Sequence, residues 1–160
     1  MLEAALALLA SYLLGAIPTS HLVSRLFAKI DLREHGSGNL GATNLYRVLG
    51  WKYAIPVALF DIAKGAIPVL VFAPRVTVSQ LFALACGVAA ILGHVFSAFV
   101  GFKGGKGVAT AAGVMLGLTP LALAVAAGVI FLHRRNIQRL IKGTENRFGR
   151  RARTATTPPP

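Results

Sequence analysis

The strongest constraint in this chain is a set of apolar runs near the ~20 residues that a helix needs to cross a bilayer. The first is residues 2–24, LEAALALLASYLLGAIPTSHLVS, and the second is 53–73, YAIPVALFDIAKGAIPVLVFA. The third covers about 81–100 and the fourth about 109–132. The fourth has about 24 residues, too few for a hairpin of two spans at ~20 residues each. The expected fold class is all-α: a polytopic integral membrane protein with about four hydrophobic helical segments, one or more of them broken. Composition agrees, because only 14% of the residues are charged, against ~25% in an ordinary soluble domain.

The breaks have identifiable causes. Pro18 kinks the first segment near its inner end, and Thr119-Pro120 interrupts the fourth. The second carries Asp61 and Lys64 at its middle, with Gly65 beside them and Pro56 and Pro68 on either side. Two charges at the bilayer centre cost several kcal/mol, roughly, on any scale. Their i,i+3 spacing places them on one face, where they can pair. The expectation is a broken helix there, or two short ones, with both charges facing protein or water.

Charge sets the orientation. No Lys or Arg precedes the first run, Glu3 stands at its start, and Arg25, Lys29 and Arg33 follow it. That order does not suit a signal peptide. It places the N-terminus outside and the next loop inside. The net charge is +12, and 8 of the 17 basic residues lie in the last 27 positions. Most of the others flank the apolar runs, which is a positive-inside distribution and not a nucleic-acid-binding module. The parity is awkward, however. With four spans, loops 25–52 and 101–106 share one side and the basic tail falls on the other. Either a span is missing, or a segment is re-entrant, or the tail stays inside with no span beneath it. A single cysteine, Cys86, excludes an internal disulfide and a cysteine-based metal site; no metal or cofactor is expected.

The domain reading is one membrane-embedded domain, residues 1–153, followed by a disordered tail, 154–160. Within it, HRRNIQRLIKGTENRF places Ile137, Leu140 and Ile141 at i, i+3, i+4, as in a basic amphipathic helix on an anionic surface, with Gly143 as its C-cap.

Two loops assigned to one aqueous side are candidates for chemistry: GSGNLGATN (36–44) and GFKGGKGVAT (101–110). Glycines let backbone N–H groups approach an anion. Lysine is a point-charge phosphate ligand. Residues 107–110 open the fourth helix, whose N-terminus adds a positive dipole end. Ser37 and Thr43 supply hydroxyls, and Asn39 and Asn44 amides. A nucleotide P-loop is excluded, because G-x-x-x-x-G-K-[ST] would need Gly where Val100 stands and Ser or Thr where Gly107 stands. The plainer reading of FKGGKG is an interfacial turn anchored to lipid headgroups. His94, at the inner end of the third segment, is either a helix-end hydrogen-bonding residue or a base. His133 and Asn136, at i,i+3, face either the same site or the interface. Asp61 and Lys64 are either a structural ion pair or part of the site.

These elements together resemble the bacterial acyl-phosphate:glycerol-3-phosphate acyltransferases, the PlsY family. The likeness is carried by GSGNLGATN, DIAKG at 61–65, GHVFSAFVGFKGGKGVAT at 93–110 and HRRNIQRLIKGTENRFGRR at 133–151. It implies transfer of a fatty acyl group from acyl phosphate to the 1-hydroxyl of glycerol 3-phosphate, giving lysophosphatidic acid and phosphate without an organic cofactor. It also implies a multi-pass protein of the bacterial plasma membrane with its site facing the cytoplasm, the bilayer and the two substrates being its partners. No nucleic acid and no obligate protein partner is implied.

On this resemblance Ser37, Lys103, Lys106 and His94 act at the reacting groups, with the Gly104 and Gly105 amides holding a phosphate. Gly36, Gly38, Asn39, Asn44 and Arg47 bind polar parts of the substrates. Asp61 and Lys64 shape the floor, His133 and Asn136 complete the rim, and Glu145 organises the tail. None of the four histidines has Asp five positions on, so the H-x-x-x-x-D base of other glycerolipid acyltransferases is absent. The family's attacking hydroxyl is thought to lose its proton with help from a substrate phosphate. Members commonly run to about 200 residues, and roughly 40 of these have no counterpart before the tail here. A non-catalytic binder of anions or lipid phosphates, or an inactive shortened acyltransferase, is the rival reading.

Overall fold

A computed structural model describes residues 1–141. Glu145, Gly143 and the expected disordered end therefore lie outside the described residues. The chain divides into two units, Met1–Leu123 and Ala124–Pro160. All regular structure among the described residues is helical.

The first segment is α1 (Leu2–Ala16) followed by α2 (Thr19–Val23), which continues as a π turn to Ala28. Proline disfavours helical geometry in the residue before it. Ile17 accordingly leaves the helix at φ −55°, ψ 114°, and the two pieces meet at 40°. The expected kink at Pro18 is present. After a short connection come α3 (Ala42–Leu49) and α4 (Trp51–Ile67). A π turn, Pro68–Phe72, then leads into α5 (Ala73–Val76). Trp51–Val76 forms one 26-residue rod, about 39 Å long at ~1.5 Å per residue.

This corrects one expectation. The helix runs unbroken through Asp61, Lys64 and Gly65, and its only irregularity falls later, at Pro68. Pro56 lies early in α4, and the two charges pair on one face, so neither forces a break.

Ser79 caps α6 (Gln80–Val95), its hydroxyl accepting from the Phe82 amide. With the short 3-10 turn that follows it, α6 forms the second long apolar rod, Gln80–Val100. The fourth apolar run is split at Thr119 into α7 (Val108–Leu118) and α8 (Pro120–Leu132). At 11 residues, α7 rises about 16 Å, roughly half the hydrocarbon core. By length and composition two helices can cross a membrane, or three if the bent α1–α2 pair crosses as one. All four apolar segments are helical among the described residues, and two or three of them are long enough to cross.

Glycines set the packing of the first unit. An added Cβ on Gly15 would sit 2.0 Å from the Ala90 carbonyl oxygen, and one on Gly93 would sit 2.1 Å from that of Tyr12. Gly65 and Gly113 meet the Thr110 and Ile62 carbonyl oxygens in the same way, at 2.0 and 1.9 Å. Each crossing, α1 on α6 and α4 on α7, thus has a glycine on both helices. Small residues at crossings let backbones approach where no hydrophobic drive exists between helices in lipid. The outward faces are apolar: Leu6, Leu9, Leu59, Leu70, Leu84 and Leu92 are exposed.

In the second unit, α9 (Arg134–Ile141) carries the expected pattern, with Ile137 and Ile141 exposed among arginines. Arg134 stacks on the Phe131 ring at 4.2 Å.

Candidate functional site

The first loop is built around Asn44. This side chain is 1% exposed. Its Oδ1 accepts from the Ser37 amide at 2.8 Å, and its Nδ2 donates to the His35 carbonyl at 3.0 Å and the Leu32 carbonyl at 3.3 Å. Its amide hydrogens are therefore both used in holding the loop, while Asn44 also stands among the residues lining the cavity described below. Gly36 and Gly38 sit at φ +62° and +69°, which favours glycine, and a Cβ on Gly36 would fall 2.3 Å from Asn44 Oδ1. They allow the turn. Beneath the loop, Asp31 accepts from the Arg33 side chain at 2.7 Å, the Arg33 amide at 3.0 Å and Arg25 at 2.8 Å. The Arg33 hydrogen bonds hold the Asp31 carboxyl well below the usual carboxylate range.

The second loop corrects the sequence reading more sharply. The Gly104 amide donates to the Val95 carbonyl at 2.9 Å, and the Gly105 amide to the His94 carbonyl at 3.1 Å. Both N–H groups are used within the chain and are not turned toward an anion. Each glycine is required by close approach. A Cβ on Gly104 would fall 1.9 Å from the His94 carbonyl oxygen, and one on Gly105 would fall 2.3 Å from His94 Nε2 and 2.9 Å from the Leu40 carbonyl oxygen. The loop is pressed between the end of α6 and the first loop, and this fixes the position of Lys106. Lys103 is exposed and lies outside the cavity lining.

The third component is the pair on α4. Lys64 Nζ lies 2.9 Å from Asp61 Oδ1. It also donates to the Ile17 carbonyl at 2.9 Å, while the Ser97 hydroxyl takes the Ala16 carbonyl. The carbonyls freed by the break after α1 are thus satisfied by side chains, as a helix end requires. Lys64, 1% exposed, is a strut at this joint and does not line the cavity. Asp61 does line it; the Thr19 hydroxyl also donates to its Oδ1, at 3.2 Å. His94 Nδ1 stands 3.9 Å from the same oxygen and has no hydrogen-bond partner. Sequence spacing could not bring His94 and Asp61 together, nor find Thr19 and Ser97; a hydroxyl next to Pro18 is the one available signal.

These parts enclose a cavity of about 330 Å³, lined by Ser37, Asn39, Thr43 and Arg47 from the first loop and α3, Asp61 from α4, His94 from α6, and Lys106 with the start of α7. Gly107, Val108 and Ala109 are among the lining residues, and no side chain caps α7. Its first N–H groups therefore lack intrahelical partners. Arg25, Arg33 and Lys64 are the Lys and Arg residues paired with carboxylates among the described residues. Arg47 and Lys106 are thus unpaired cations beside a helix N-terminus, an arrangement that favours a phosphate. No group of three His, Cys, Asp or Glu able to hold a metal occurs among the described residues. His133 and Asn136 lie in the second unit, where His133 Nδ1 is 2.8 Å from the Val129 carbonyl and Asn136 Oδ1 accepts from Arg139 at 2.5 Å.

Comparison with known proteins bears on this cavity. A family model described as glycerol-3-phosphate acyltransferase matches residues 5–133. A glycerol-3-phosphate acyltransferase of Chlorobaculum parvum is 46% identical over 132 residues, covering 76% of this chain and 57% of its own length. The chain thus spans little more than half of that relative. Glycerol-3-phosphate acyltransferase 2 of Bacillus anthracis is 39% identical over 188 positions, covering 89% of this chain and 98% of the relative. That alignment is longer than the 160-residue chain, so it crosses residues of the relative that have no counterpart here. Among solved structures, PlsY, an integral membrane glycerol 3-phosphate acyltransferase in its glycerol 3-phosphate form, is similar at 34% identity with a TM-score of 0.68, covering 91% of this chain and 96% of that one. Its lysophosphatidic acid form is similar at 32% identity with a TM-score of 0.65, covering 91% and 95%.

Proposed function

The chain belongs to the glycerol-3-phosphate acyltransferase family and is an integral membrane protein, and from that premise we propose that it transfers a fatty acyl group from acyl phosphate to the 1-hydroxyl of glycerol 3-phosphate. The hydroxyl oxygen attacks the acyl carbon, and the bond from that carbon to the phosphate oxygen breaks. The hydroxyl proton passes to a phosphate oxygen, and lysophosphatidic acid and inorganic phosphate leave. The observation that carries this reading is the cavity in which Arg47, Lys106 and the uncapped start of α7 stand together without a carboxylate partner for either cation. Both substrates are phosphate esters or anhydrides, and such groups hold and stabilise phosphate charge. The exposed apolar helix faces suit a substrate whose acyl chain arrives from the bilayer.

In this reading Lys106, Arg47, Ser37 and the α7 amides bind phosphate. Asn39 and Thr43 contact polar substrate atoms, and His94 borders the reacting groups. Lys103 acts at the loop's outer surface, and Gly104 and Gly105 place Lys106. His133 and Asn136 are assigned to the rim on the family resemblance alone. The cavity opens to the cytoplasm of a bacterial cell, since the loops that form it carry the positive-inside charge.

The second reading, phosphate binding without turnover, is favoured by the residues of the relatives that have no counterpart here. One assay separates the two. Membranes containing the protein are incubated with radiolabelled glycerol 3-phosphate and palmitoyl phosphate. Formation of labelled lysophosphatidic acid supports the enzyme; retention of label on the protein with no product supports the binder.

A further inference from the structure

Asp61 is the only acid among the described residues lining the cavity. A carboxylate there opposes phosphate binding unless it has a separate purpose. The ion pair with Lys64 accounts for Oδ1, where Thr19 also donates. It does not account for the second oxygen, which has no hydrogen-bond partner among the described residues although Asp61 stands in the cavity wall. An ionised carboxylate accepts hydrogen bonds and donates none. A bound phosphate dianion offers it nothing, and neither does an acyl chain. The hydroxyls of a polyol phosphate do.

We propose that Asp61, its charge offset from behind by Lys64, is the specificity residue that accepts a hydroxyl of the acceptor's glycerol backbone and so selects phosphorylated polyols over phosphate esters without hydroxyls. The inference rests on the proposed function for the identity of the acceptor. It assigns to Asp61 a contact that the cations of the cavity cannot make. Arg47 and Lys106 recognise charge, which every phosphomonoester carries; Asp61 recognises the donor that distinguishes one from another.

The test is displacement of radiolabelled glycerol 3-phosphate from the purified full-length protein by two competitors, unlabelled glycerol 3-phosphate and propyl phosphate. The second has the phosphate and three carbons but no hydroxyl. In the unmodified protein glycerol 3-phosphate is expected to compete at about 10- to 100-fold lower concentration, the effect of leaving one buried acceptor unpaired. Asp61→Asn alone would strand the Lys64 cation, so the variant removes both charges: Asp61→Asn with Lys64→Met, its thermal stability in detergent compared with the parent. The ratio should fall below about 3-fold, with propyl phosphate binding retained. Equal competition by the two ligands in the unmodified protein would overturn the proposal whatever the variant does, as would an unchanged ratio in a folded variant. Because binding is read without turnover, failure of acyl transfer in the membrane assay would sink the enzymatic reading and leave this inference standing.

Discussion

Two lysines three positions apart looked equivalent in the sequence, and the structure separates them. Lys106 enters the cavity and Lys103 does not. Lys106→Ala is therefore expected to lower acyl-phosphate-dependent product formation by ~100- to 1,000-fold, and Lys103→Ala by less than about 10-fold. Rates measured on membranes with matched protein levels check this; equal losses would contradict the placement. The glycines between them show why the distinction was hidden. Absence of a Cβ lets an amide reach an anion, and it equally lets a backbone press against another backbone. Only the neighbours decide, and for Gly104 and Gly105 those neighbours are carbonyls and the His94 ring. Asn44 is a similar case: its side chain makes three hydrogen bonds that hold the loop, which its place in the motif does not reveal. Asp31 gives a prediction in pH. Its carboxyl is depressed in the folded protein by Arg33, so its contribution to stability is complete above the unfolded value of about 4. It is lost as pH falls below that, toward the folded value. Thermal unfolding followed down from pH 7 should show this acid limb, and Asp31→Asn should be less stable at pH 7 and flatter below pH 4.

Among the elements, the apolar runs were legible from length alone, and so was the kink at Pro18. The run through Asp61 and Lys64 was not, because the cost of two intramembrane charges argued for a break. The pair instead satisfies itself on one face and takes up the Ile17 carbonyl of another helix. A break in α1 and an unbroken α4 are thus one arrangement: the loose end of the first is tied by the buried cation of the second. The division of the fourth run was legible as well, because Pro120 marks the break that falls at Thr119 between α7 and α8. The crossings make a direct prediction. Gly93→Ala or Gly65→Ala places a methyl against a backbone carbonyl that cannot move aside, and should cost about 1–3 kcal/mol. A lowered melting temperature in detergent is the readout, with Gly128→Ala as the control, because nothing lies within 4 Å of a Cβ there.

At the scale of the molecule, three crossings account for the arrangement of loops. If the α1–α2 pair, Trp51–Val76 and Gln80–Val100 each cross once, the loops after the first and third emerge on one side, and the cavity is built from those two loops. What the sequence carried was the chemistry of the loops and their side; what it could not carry was which groups the chain itself had already used. The central claim is that these distant segments meet on one face to hold phosphate. It is tested most directly by single-cysteine labelling in a Cys86→Ala background, with Thr43→Cys and Lys103→Cys each treated in sealed inside-out and right-side-out vesicles with a membrane-impermeant maleimide. The account predicts that both label from the same side, with Thr43→Cys protected by glycerol 3-phosphate; labelling from opposite sides would contradict it.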